Sequence, residues 1–419
     1  MKRRVLLVLG AGLLVLGLVA PSAVARSVGS SGSANDKASL VRYKMSHGYL
    51  VGDIARFDRL KAEAAARAAR LHPSQGRTPV SPHDPVASPS WQGLDEDDLS
   101  PPDPTGAIGP KSFVQTINLQ MGIYDRSGNL ITSAPFSTLT GSSDFLSDPQ
   151  IYYSVRWNRF YYLILRVGSL ESPISTMLWG FSKSNNPTSI PGSFCNYETD
   201  FGWGGTIADY PKLGVTQDDI LIGVNVYPTP ATFVGSDVGW IVNPVKNRKA
   251  ITTCPSAGSL VTGKVSQLKN FDGATLSSTP EPAKQIDWTT DGWIVAVPDS
   301  TNSGATGTTL ELYHVTENPD KTPNIPVVAT SEVTVDAYSP PAPAPQKDGI
   351  HPLDTLDGRL TNAISAFDPS HGGTAALWTQ HTVFGGAGAE VRWYEIDPVN
   401  SVLFQSGKAT DANLFAFNG

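Results

Sequence analysis

Six acidic residues stand at intervals along the chain, each a few positions ahead of a short β-type stretch: Asp103, Asp148, Asp209, Glu281, Asp357 and Asp411. Carboxylates that a repeating fold gathers at one point can do two kinds of chemistry. They can offer hard oxygens to a calcium ion, or divide into a general acid and a base or nucleophile, as glycoside cleavage requires. Asp148, Asp209 and Asp357 are the candidates for catalysis. Asp103, with Lys212 in DYPK, Arg359 in DGR, His381 in WTQHTV and Arg392 on the following strand, are candidates for holding a ligand. A structural role competes at each position. An Asp ahead of Pro closes an Asx-turn on its own backbone, Lys212 and Arg359 can pair with the acids beside them, and a histidine inside an apolar strand is commonly a hydrogen-bonded core residue. The paired tyrosines Tyr152-Tyr153 and Tyr161-Tyr162, with Trp203, are candidate stacking platforms for sugar rings or packing between sheets.

Catalytic motifs of other kinds are missing. The chain has no Gly-x-Ser-x-Gly elbow, His-Glu-x-x-His pair, phosphate loop or Ser-x-Asp-x-Gly-x-x-Trp box. Its seven histidines are scattered, which argues against a histidine-rich metal centre.

The elements that must position these residues are strands. Near-continuous apolar runs recur at 159 to 167, 220 to 226, 292 to 298 and 374 to 383, and suit inner strands covered on both faces. Each is followed by a strand with a central aromatic and a turn signal. The aligned aromatics are Tyr124, Trp179, Trp240, Tyr313 and Tyr394, spaced more widely than the 40 to 50 residues of common propeller repeats. The 39 glycines and 33 prolines fit many turns between short strands. The fold class is therefore all-β, a β-propeller of five recognisable blades over 105–419. TDANLFAFNG looks like the first strand of a sixth blade, so the sequence is expected to stop short of a whole propeller.

Ahead of the propeller lie three segments. Residues 1–25 read as a secretory signal: Lys2-Arg3-Arg4, the apolar run from Val5 to Ala20, then Ala23-Val24-Ala25 at the cleavage site. No later stretch is long and apolar enough for a membrane helix, so export to the cell exterior is expected. Residues 26–71 begin Gly/Ser-rich and disordered, then turn helical near Asp36 and again after an N-cap at Asp53. The second helix carries a thin stripe of Ile54, Phe57, Leu60, Ala64, Ala68 and Leu71, and is expected to be a solvated stalk. Residues 72–104 form a Pro/Ser/Asp-rich linker whose run Asp95 to Asp98 lacks the spacing of a calcium loop. Removing three cations with the signal takes the net charge from −7 to −10, which leaves no basic footprint for nucleic acid. The two cysteines, Cys195 and Cys254, are expected to pair between neighbouring blades, with two buried thiols as the alternative.

The run PPDPTGAIGPKSFVQTINLQMGIYDRSGNL, with DPQIYYSVRWNRFYYLIL, DYPKLGV and VRWYEIDP, resembles a group of secreted bacterial β-propeller-like proteins from about Pro101 onward. The resemblance implies a propeller with a further blade after this chain ends, and brings no catalytic residue with it. The leading expectation is a secreted binding or adhesion module for glycan or cell-envelope material. The alternatives are a glycoside hydrolase or lyase, and a structural extracellular protein whose acids hold one calcium.

Overall fold

The computed structural model describes residues 24–27, 50–71, 90–95, 101–169, 173–228, 232–287, 289, 291–298, 306–346 and 352–419. Five antiparallel sheets follow one another in chain order as the blades of a β-propeller. Blade 1 comprises Thr105–Ile108, Ser112–Ile117, Gln120–Asp125 and Leu130–Pro135. Blade 2 comprises Phe145–Ser154, Arg159–Gly168, Pro173–Ser182 and Phe194–Asp200, with Val24–Ser27 added along its last strand. Ile207–Val215, Asp219–Tyr227, Gly235–Val242 and Thr262–Val265 form blade 3. Ser277–Pro282, Gly292–Pro298, Gly307–Glu317 and Ser331–Tyr338 are the main strands of blade 4. Blade 5 contains Leu360–Asp368, Thr374–Val383, Glu390–Asp397 and Val402–Ala409, with Lys284–Gln285 pairing parallel to its first strand.

The core is a series of layers between blades. Strand alternation sends successive side chains to opposite faces. In Arg159–Gly168, Tyr162 and Ile164 therefore pack with Val114 and Ile123 of blade 1. Tyr161, Leu163 and Leu165 turn the other way, to Leu213 and Ile222 of blade 3. The second strand of blade 4 divides similarly: Ile294 and Ala296 meet Leu221 and Val238, while Val295 and Val297 meet Leu377 and Ile396. The apolar runs are thus the second strands of their sheets, one place outward from the inner position expected. The first strands lie against each other; those of blades 2, 3 and 4 carry Asp148, Asp209 and Glu281, while Asp103 and Asp357 stand just ahead of the first strands of blades 1 and 5. Tyr124, Trp179, Trp240, Tyr313 and Tyr394 all sit on third strands. At Gly223 the next blade comes so close that a Cβ would collide with the Pro280 carbonyl.

Three segments differ from expectation. The helix α1, Ile54–Leu71, is not a solvated stalk: Phe57, Lys61, Ala64 and Ala68 are buried. Its small alanines let the axis approach Ala342 and Phe384, and the Arg67 guanidinium lies 4.2 Å from the Phe384 ring centroid. Trp91 in the linker packs edge-on to Phe113, and the Leu94 N–H donates to Gln115, so this part of the linker is fastened to blade 1. Thr410–Gly419 holds no strand of a sixth blade. The Asp411 carboxylate accepts from the N–H groups of Asn413 and Leu414, bending the tail back over blade 5, where Phe415 joins the Ala64–Phe384 cluster. The helical expectation for 36–48 and the acids of 96–98 lie outside the described residues.

A disulfide joins Cys195 of blade 2 to Cys254 of the loop leaving the third strand of blade 3. Because Leu163 and Ile164 serve different inter-blade layers, Leu163→Ala and Ile164→Ala should each cost about 2–5 kcal/mol in urea unfolding. A strand with one solvated face would show that loss at only one of the two.

Candidate acidic site at the propeller axis

The first strands do more than sit near the axis. Each of blades 2, 3 and 4 breaks its ladder with a bulge, between Ser147 and Gln150, Asp209 and Lys212, and Ser278 and Glu281. At each bulge a non-glycine residue is left-handed: Asp148 (φ 52°), Tyr210 (φ 56°) and Thr279 (φ 51°). Asp103 repeats the conformation ahead of blade 1, at φ 42°. All four precede a proline. Such bulges re-aim side chains that a regular strand would pack between sheets. Here they bring Asp103, Asp148 and Asp209 into one electrostatic group with Lys212 and Arg359.

Burial dominates the chemistry of this group. It pushes the Asp103 carboxyl up to about 8, helped by the charge of Asp148 and opposed by the Asn118 amide. Burial and Asp148 together push Asp209 up to about 7. Asp148 is raised by burial too, against hydrogen bonds from Ser147 and the Tyr210 N–H. The three therefore titrate as a set that cannot all ionise at neutral pH. Neither Asp103 nor Asp148 closes an Asx-turn. Asp103 accepts from the Asn118 side chain at 2.7 Å, and Asp148 reaches the Tyr210 N–H of the next blade at 3.2 Å.

Opposite stand the cations. Lys212 Nζ is 3.4 Å from Glu281 and 3.8 Å from the Tyr210 ring centroid. Burial opposes its charge, but Glu281 and Tyr210 outweigh that and hold its pKa above the usual lysine value. Glu281 itself is raised by burial. Lys284, buried beside the same glutamate, is driven down to about 8 and donates to Asn362 at 2.5 Å. Arg359 holds both oxygens of Asp357, at 2.8 and 2.9 Å. That bidentate pair keeps Asp357 ionised below the ordinary range in spite of its burial.

The N-terminal segment closes over this group through its main chain. The Leu50 N–H donates to Asp209 Oδ2 at 3.0 Å, and the Leu50 carbonyl accepts from Arg359 at 3.2 Å and Tyr227 at 2.9 Å. Helix α1 then anchors the segment, with Lys61 Nζ donating to Thr355 Oγ1 and the Leu356 carbonyl.

Other expected site residues lie elsewhere. His381 is a core residue: its nitrogens are taken by the Gly358 carbonyl at 2.8 Å and the Tyr394 hydroxyl at 2.9 Å. Burial lowers its pKa to about 4, so it stays neutral. Arg392, on a third strand, pairs with Glu390 and ties blade 5 to the Asp336 and Ala337 carbonyls of blade 4. Asp411 belongs to the C-terminal turn. Tyr161, Tyr162 and Trp203 are buried between sheets and bonded to Asn243, Asn196 and Asp237, so they offer no platform for a sugar. Tyr210, which faces both cations, was not singled out in the sequence. Its signal was there, at the position before proline that Asp103 and Asp148 share.

No protein-family profile matches the chain, and no curated protein matches it in sequence. Among solved structures it is similar to a thermostable family-43 glycoside hydrolase (10% identity, 76% of this chain and 96% of that one, TM-score 0.35). It is also similar to the GH93 alpha-L-arabinofuranosidase of Fusarium graminearum in complex with arabinobiose (11%, 73% and 79%, TM-score 0.36). The Penicillium chrysogenum alpha-L-arabinanase overlaps more loosely (11%, 72% and 95%, TM-score 0.32). Overlap at this level carries no argument about chemistry. The propeller rests on the strand pairing described above.

The raised carboxyls set a sign for pH dependence. A carboxyl whose pKa is higher folded than unfolded binds its proton more readily in the native state. Its stabilising effect is complete below about pH 4 and is lost as pH rises through the folded values near 7 and 8. Asp209→Asn keeps an oxygen for the Leu50 N–H but cannot ionise. At pH 9 it should be more stable than the parent by about 1 kcal/mol or more, with no gain at pH 4, in thermal melts. An equal effect at both pH values would show that the carboxyl is not held protonated.

Proposed function

We propose that the protein is an exported propeller that binds glycan or cell-envelope material at the end of the axis ringed by Asp103, Asp148, Asp209, Lys212 and Arg359. The observation that carries this proposal is the engagement of the acids. Glycoside cleavage needs two carboxyls facing each other across the scissile bond, one of them ionised and free. Here Asp357 is spent on Arg359, Asp209 receives the Leu50 N–H, and Asp148 receives Ser147 and the Tyr210 N–H. Such groups suit orientation of a polyol or an anionic sugar by hydrogen bonds. Export and a place outside the cell, supported by the signal-like N-terminal sequence, belong to the same proposal.

A second reading, hydrolysis or lysis of a glycan, is favoured by one feature. The Asp103 and Asp209 carboxyls, at about 8 and 7, lie where a general acid works at neutral pH. Asp148→Asn, Asp209→Asn and Asp357→Asn, each tested on a glycan array and against cell-wall polysaccharide, separate the two. A binding module should release no sugar in any form and should bind about 10-fold or more weakly once Asp148 or Asp209 is changed. An enzyme would lose turnover in the variants while still binding. A parent protein that neither retains nor cleaves any glycan sinks both.

A further inference from the structure

At the end of blade 5's first strand opposite to Arg359, a second group of metal-ligating side chains comes together. We infer that Asp368, His371 and Glu395 form a binding site for one divalent transition-metal ion of the zinc or manganese type. Their donor atoms all lie within 4.8 Å of one another, and among the described residues no other three carboxylate, imidazole or thiol donors do so.

Each ligand is placed by local structure. Asp368 ends the first strand of the blade and caps the 3-10 turn Pro369–His371, accepting from the Ser370 N–H at 2.8 Å. The turn brings His371 back onto its own cap, with Nδ1 at 2.5 Å from Asp368 Oδ2. The imidazole plane is fixed by stacking on Phe404, 3.9 Å between centroids and 3° from parallel. Glu395 arrives from the third strand, where a bulge against the fourth strand interrupts the ladder between Glu395 and Ile396.

Glu395 supplies the independent indication. Its side chain is 1% exposed, and one oxygen, Oε2, accepts from Gln405. The other, Oε1, has no hydrogen-bond partner among the described residues, and lies 3.6 Å from His371 Nδ1. A buried carboxylate oxygen without a donor is costly, and a second carboxylate close by adds to that cost. A cation shared by the three removes both penalties.

The donor set selects the ion. One imidazole and two carboxylates suit borderline and moderately hard metals rather than copper(I) or an iron–sulfur cluster. Zinc binds such atoms at about 2.0–2.2 Å, so tetrahedral ligands stand roughly 3.3 Å apart. The His371–Glu395 separation, 3.6 Å, must close a little to reach that figure, and the Asp368–His371 contact, 2.5 Å, must open. His371 is 33% exposed, which leaves the remaining coordination positions to water. The ion would clasp the turn to the outer hairpin, a structural role independent of the axial site.

The test uses the full chain, stripped with EDTA and desalted, then titrated calorimetrically with zinc chloride and separately with manganese chloride. Saturable uptake of one equivalent is expected, with a melting temperature raised by several degrees at a 100-fold excess over Kd. Glu395→Gln and His371→Gln should each weaken binding at least about 10-fold, while Asp272→Asn, in an exposed turn, should not. Apo variants that melt with the parent exclude misfolding as the cause, and should Glu395→Gln fail to fold, the more exposed His371→Gln decides alone. A parent protein that binds neither ion stoichiometrically, or variants that bind as it does, overturns the site. In that event the three residues are a hydrogen-bonded cluster and no more.

Discussion

Burying several carboxyl groups where the first strands meet is the constraint that shapes the rest of the molecule. A propeller brings these strands together regardless of what they carry. In this chain they carry Asp148, Asp209 and Glu281, with Asp103 just ahead of the first of them. Like charges held out of water repel and lose hydration, so the fold must neutralise them, pair them or donate to them. All three solutions are used. Protons stay on part of the aspartate set, Lys212 and Lys284 flank Glu281, and main-chain N–H groups reach Asp148 and Asp209. Several of these partners belong to the neighbouring blade. The polar axis thus ties sheets together in the same way as the apolar layers outside it.

The N-terminal segment belongs to this economy of charge. Without Leu50, Asp209 would lose a donor and Arg359 an acceptor in the interior. Phe57, Lys61 and the alanines of α1 add the apolar and polar contacts that keep the segment seated. Any ligand entering from that side competes with a peptide group already bonded to both signs of charge. That makes affinity a difference between two sets of hydrogen bonds.

Much of the architecture was legible because it depends on periodicity. The unbroken apolar runs announced strands covered on both faces, and the five aromatics fell on the third strand of each sheet. The radial position of those runs was misplaced by one strand, because the true first strands are interrupted by polar residues and bulges and do not look like core. The acids were visible as a repeat, but not their surroundings. A left-handed residue before proline is a backbone state, and it aligns Asp148 with Tyr210 rather than with Asp209. His381 looked reactive because an imidazole carries its chemistry in any context. The Gly358 carbonyl and the Tyr394 hydroxyl make it the hydrogen-bonded core residue that its apolar strand also suggested. The alanine stripe of α1 gave too little area to predict docking, since its partner surface is assembled from Ala342, Leu356 and Phe384 far along the chain. Asp368, His371 and Glu395 escaped notice for a similar reason: a hairpin and a bulge separate the glutamate from the turn it faces.

The clasp at Leu50 uses an amide and a carbonyl, which every residue except proline supplies. Its side chain only fills a hollow beside Ile207 and Tyr227. A different side chain here would leave both main-chain bonds in place and change only the packing beside Ile207 and Tyr227.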